Sequence, residues 1–163
     1  MVQYGTAYFE GAQELFNIGD PQLFFSAGYL AHLCIELYLK AWQLHHFDEF
    51  DAIDNLDQLW SRLESAGVLG PSTERDKILI HTFDEFERFG YPHIDRASEN
   101  SAELVSDLTE LRDTLMRWMP YDLRVSQWPA ESKIRVGGQV LTIVGPDGQD
   151  HPMYHREYEG SQD

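Results

Sequence analysis

Apolar side chains recur at three- and four-residue spacing as far as Pro120 and at two-residue spacing beyond it. Tyr4, Tyr8, Ala12 and Leu15 mark a first amphipathic helix. Gly19-Asp20-Pro21 stops it, since proline cannot extend a helix and glycine accepts a left-handed cap. A long second helix follows that proline and runs to about Leu44, with Leu30, Leu33, Cys34, Leu37, Ala41 and Leu44 as its apolar stripe. Asn55 caps a third helix carrying Leu56, Leu59, Trp60 and Leu63, which Gly67 and Gly70-Pro71 end. A fourth begins near Ser72-Thr73, buries Leu79, Phe83 and Phe86, and stops at Gly90 and Pro92. In the fifth, Asn100 and Glu103 form a capping box ahead of Leu104, Leu108, Leu111, Leu115 and Trp118. Beyond Pro120, Ile134-Arg135-Val136 and the run from Val140 to Val144 are β-type segments joined through Gly137-Gly138, a pair suited to a tight hairpin. The pattern predicts an all-α, up-and-down bundle of four to five helices over residues 1–120. Residues 121–163 form a C-terminal extension with a short β-hairpin, too small to stand as an independent domain.

A chain of 163 residues can bury one sizeable core, so one domain with an appendage is expected. No run of apolar residues is long enough to cross a membrane, and Met1-Val2-Gln3-Tyr4-Gly5 lacks the layout of a signal peptide. The expected setting is the cytoplasm, away from membranes. Cys34 is the sole cysteine, which excludes an internal disulfide and a cysteine-based zinc site. The formal charge of −16 opposes broad nucleic-acid binding, because a phosphate backbone is repelled at long range. Asp48, Glu49, Asp51, Asp54 and Asp57 lie together with no base among them, which reads as a solvated loop and helix start, open to a basic partner protein.

Taken alone, Glu36 and Lys40 stand four apart in the order that favours a surface pair, contributing about 0.3–0.5 kcal/mol. His32 with Glu36, and His81 with Asp84 and Glu85, form two further groups that either meet across the bundle or are ordinary surface pairs. The chain contains neither a Glu-x-x-His nor a His-Glu-x-x-His string, and Pro152 argues against a helical His151/His155 pair, so no metal is expected. No phosphate loop, serine elbow or dinucleotide fingerprint is present, and no cofactor is expected either. Tyr38 and Trp42 exceed what one apolar stripe can use. They belong either to an interface or to a helix buried all round.

The segment Ile35-Glu36-Leu37-Tyr38-Leu39-Lys40-Ala41, with histidines following it, resembles the second helix of HEPN domains. Asn55-Leu56-Asp57-Gln58-Leu59 is similar to the opening of that family's third helix, and Arg88-Phe89-Gly90-Tyr91-Pro92 to its Arg-Tyr-Pro turn with two residues inserted. The resemblance spans roughly residues 1–120. It implies a binding or regulatory module of the defence or toxin–antitoxin type, recognising a nucleotide or a partner protein through Glu36, Lys40 and Tyr91. It also implies a homodimer, built mainly through the second and last helices, and a partner such as a nucleotidyltransferase. An alternative is a metal-independent endoribonuclease using Arg88 and His93, whose Arg-x4-His spacing many HEPN ribonucleases share. In that chemistry an imidazole near neutral pKa moves the 2′-hydroxyl proton while a guanidinium stabilises charge on the phosphate. Against it, the pair falls on a Gly-Pro turn about ten residues before the last helix. Arg88 then reads as a helix C-terminal cation and His93 as a loop residue. A structural protein without a ligand is the third reading.

Overall fold

A computed structural model describes residues 1–88, 101–125, 131–136 and 139–144. The chain is an all-α bundle whose helices are α1 (Val2–Ile18), α2 (Phe24–Phe47), α3 (Leu56–Ser65), α4 (Glu74–Arg88), α5 (Ser101–Trp118) and the short α6 (Tyr121–Val125). Among the described residues, no helix is long and apolar enough to cross a membrane.

Local chemistry sets the helix ends. Gly19 takes φ +69° beyond α1, and its N–H returns to the Phe16 carbonyl. Asn55 caps α3 by accepting the Gln58 N–H at 2.8 Å, worth about 1 kcal/mol. At the start of α4 a capping box closes reciprocally. The Asp76 N–H donates to Thr73 Oγ1 at 3.2 Å, and the Thr73 N–H donates to Asp76 Oδ2 at 2.7 Å. Asn100 lies outside the described residues, and α5 buries Leu104, Leu108, Leu111 and Leu115 as its spacing predicts.

The helix α2 touches α1, α3, α4, α5 and α6, and this central place corrects the expected stripe. Ala27, Ala31, Cys34, Ile35, Tyr38, Leu39, Ala41 and Trp42 are buried, whereas Leu30, Leu33, Leu37 and Leu44 are only half-buried. A helix surrounded by neighbours has no single inward face, so small residues sit where backbones approach and leucines fill the seams. Gly28 shows the closeness of one approach: a Cβ there would lie 2.0 Å from the Phe86 ring of α4. Tyr38 and Trp42 are therefore absorbed by the chain's own core. In α1 the core face is rotated from the expected one. Val2, Phe9, Ala12 and Phe16 are buried, while Tyr4 is exposed and Tyr8 and Leu15 half-buried.

A small sheet joins distant parts of the chain. Phe50–Asp51 (β1) pairs in parallel with Glu131–Val136 (β2), through Phe50 with Ile134 and Asp51 with Arg135. Gln139–Val144 (β3) pairs antiparallel with β2, Val136 opposite Gln139. Two features were not legible in the pattern: β1, set in the acidic connection, and α6, set where period-two spacing was expected.

Candidate functional site

The surface of α2 facing α3 and α4 carries His32, Glu36, Lys40 and Gln43, spaced four, four and three residues apart, so they form one polar stripe. All four are buried: His32 is 1% exposed, Glu36 8%, Lys40 7% and Gln43 0%. This corrects the reading of Glu36 and Lys40 as a solvated pair. Lys40 Nζ donates to Glu36 Oε1 at 2.5 Å and to Asp54 Oδ1 at 3.1 Å. The Asp54 side chain is 61% exposed, so the seam opens to solvent on that side. Burial pushes the Glu36 carboxyl above its ordinary range, opposed by the Lys40 ammonium beside it.

The acidic connection is likewise more than a solvated loop, because bases on the helices reach it. Arg62 Nη2 donates to Glu49 at 3.0 Å and Arg62 Nη1 lies 2.6 Å from Asp51, while the guanidinium sits 4.6 Å from the Phe47 ring centroid. Gln43 fixes the backbone of β1 by accepting the Asp51 N–H at 2.9 Å, and its amide donates to the Leu59 carbonyl at 3.3 Å. Asp57 pairs with His81 at 3.0 Å.

Deeper in the seam, Asp84 of α4 is fully buried and holds the start of α3. Its Oδ1 accepts the Leu56 N–H at 2.6 Å and its Oδ2 accepts Asn55 Nδ2 at 2.9 Å. A carboxylate at a helix N-terminus satisfies amides that the helix itself leaves unpaired. His32 lies across from it, with Nδ1 3.3 Å from the Phe83 carbonyl and Nε2 3.9 Å from Glu36 Oε2. The two histidine–acid groups thus separate: His32 meets Asp84 across the bundle, and His81 turns outward to Asp57 and Glu85. One ligand atom each from His32, Asp84 and Glu87 lie within 4.8 Å of one another, Glu87 being exposed.

The structure brings Glu36 and Lys40 together. Arg88 is the last residue of α4, and Tyr91 and His93 lie outside the described residues, as does the rest of the Arg-Tyr-Pro turn. Gln43 and Glu87 were missed by sequence reasoning. For Gln43 the signal was its place in the four-four-three stripe, and for Glu87 the i, i+3 spacing from Asp84. Neither protein-family models, nor curated proteins, nor solved structures give a match to this chain.

Proposed function

We propose that the chain is a HEPN-like binding or regulatory module, of the defence or toxin–antitoxin type, acting in the cytoplasm. In this reading Glu36, Lys40 and Tyr91 recognise a nucleotide or a partner protein. The observation that carries it is the buried Glu36–Lys40 pair, with Lys40 also held by the exposed Asp54. A buried ion pair adds little net stability compared with apolar residues of similar volume, so its presence calls for another reason. Recognition supplies one. An anionic group that displaces the Asp54 carboxylate meets a preset ammonium, and a basic partner meets Asp54 and the acidic connection around it. The positions of Glu36 and Lys40 are also those on which the resemblance to HEPN second helices rests. That resemblance further supports a homodimer and a nucleotidyltransferase-type partner.

Thermal-shift screening against nucleoside mono-, di- and triphosphates, with co-purification from the native host, tests this reading. A ligand at 100 times its dissociation constant stabilises by about 2.7 kcal/mol, and Lys40→Ala is expected to abolish that increment. Absence of a shift with every nucleotide and of any co-purifying protein sinks the reading. Cleavage of single-stranded RNA that His93→Ala removes replaces it with the ribonuclease. For the dimer, light scattering at micromolar concentration is decisive, and a mass of 18.9 kDa rejects it.

A further inference from the structure

We infer that His32, Asp84 and Glu87 form a divalent-cation site between α2 and α4, of the kind that takes Zn2+ or Mn2+. The donor set is one imidazole and two carboxylates, with ligand atoms mutually within 4.8 Å. Zinc, manganese and ferrous ions take such mixed sets, whereas calcium and magnesium prefer oxygen alone.

The state of His32 supplies independent support. Its Nδ1 lies 3.3 Å from the Phe83 carbonyl oxygen, which can only accept, so Nδ1 carries the proton. The lone pair is thereby placed on Nε2, which is buried and has no hydrogen-bond partner among the described residues. Its nearest polar neighbour along α2, Glu36 Oε2, is 3.9 Å away and has no proton to donate when ionised. A buried imidazole whose second nitrogen is fixed by a backbone carbonyl has the outer-shell arrangement of metal-binding histidines. Asp84 is oriented in the same manner, by the Leu56 N–H and Asn55 Nδ2. A carboxylate oxygen that accepts one hydrogen bond has a second lone pair with which it can ligate an ion.

Charge and reach agree with an ion. The set holds two carboxylates, Asp84 and Glu87, to match the two charges of a dication, and Glu36 has Lys40 as its own partner. Ligands at about 2.0–2.2 Å from a tetrahedral ion stand about 3.4 Å apart. Glu87 is exposed, so its side chain is free to swing toward the other two ligands. Three protein ligands leave a fourth position for water, and the Tyr29 ring, parallel to His32 with centroids 6.4 Å apart, flanks the imidazole.

The test uses the full chain, stripped with EDTA and titrated with MnCl2 and ZnCl2. We expect one Mn2+ per chain by electron paramagnetic resonance, paramagnetic loss of the His32 imidazole signals in NMR, and competition by Zn2+. Glu87→Gln changes an exposed residue and leaves the fold intact. It should weaken binding at least about tenfold, and His32→Gln should do the same or more. Glu14→Gln on α1, and a double change of His151 and His155 to Gln, should leave the affinity unaltered. Affinity unchanged in Glu87→Gln, binding lost with His151 and His155 instead, or no binding below millimolar metal each overturns the site.

Discussion

The two sides of α2 are built on opposite principles. Toward α1 and α5 the helix presents Cys34 and Tyr38 to a buried contact, in which the Tyr38 hydroxyl lies 3.1 Å from Thr6 Oγ1, whose own proton goes to the Val2 carbonyl. Burial pushes the Cys34 thiol up to about 12 against the pull of Tyr38 and Arg112, and burial, with Cys34 beside it, pushes the Tyr38 phenol upward as well. Toward α3 and α4 the same helix presents His32, Glu36, Lys40 and Gln43, whose polar atoms are met by Asp54, Leu59, Phe83 and the backbone of β1. Both sides are buried, the polar seam opening to solvent only beside Asp54, so burial alone does not distinguish them. Their tolerance of change does. The apolar side depends on volume, and the polar side on keeping every member of a set together.

The largest effect is expected from Tyr38→Ala, at about 4 kcal/mol in chemical denaturation, because it empties a fully buried aromatic site. Tyr38→Phe should lose only about 1 kcal/mol, the hydroxyl contact with Thr6. A loss as large as that of the alanine variant would mean that this side is polar in character too. Next comes Lys40→Ala, at about 3 kcal/mol, since it leaves Glu36 buried without its cation. Replacing both partners, Glu36→Leu with Lys40→Met, should return the protein to wild-type stability or above it. If the double variant is instead as unstable as the single one, the pair is itself a strong stabiliser and the contrast between the sides fails.

Gln43→Leu should lose about 2 kcal/mol by stranding the Asp51 N–H and the Leu59 carbonyl, readable in the same titration. The smallest effect is in the pH profile. Because the folded Glu36 carboxyl titrates above its ordinary value of 4.5, the native state holds more protons than the unfolded state upward from there. This group's contribution therefore falls as pH rises through that window. Glu36→Gln should remove that fall, so the difference in Tm between variant and wild type should change upward from pH 4.5. A difference independent of pH would show that Glu36 feels no burial.

The bundle was legible as a set of helices, and the buried face was legible where leucines mark it. In α3 and α5 the leucine spacing gave both the element and its buried residues, and Asn55 caps as its type requires. In α2 the same reading failed, since a helix that meets all five others breaks the link between periodicity and burial. Glu36 and Lys40 look like a surface pair in sequence because charge usually means water, and only the packing of α3 and α4 over them removes it. Asp84 was visible as part of a histidine–acid group, but its pairing with the α3 N-terminus depends on tertiary placement. The acidic cluster around residue 50 hid a strand for a similar reason: β1 is held by Gln43, Arg62 and β2, and by little of its own.

Cys34 gives the apolar side a kinetic handle. It is the chain's single thiol, has no exposed surface and titrates near 12, so at neutral pH it is neither ionised nor reachable in the closed bundle. A thiol reagent can modify it only after the contact between α1 and α2 opens, and the labelling rate then reports the population of opened molecules. Without any engineered label, one absorbance trace follows the breathing of the helix pair. Because the polar seam lies on the other side of α2, adding a ligand or a metal ion would slow that trace only if the two sides open together.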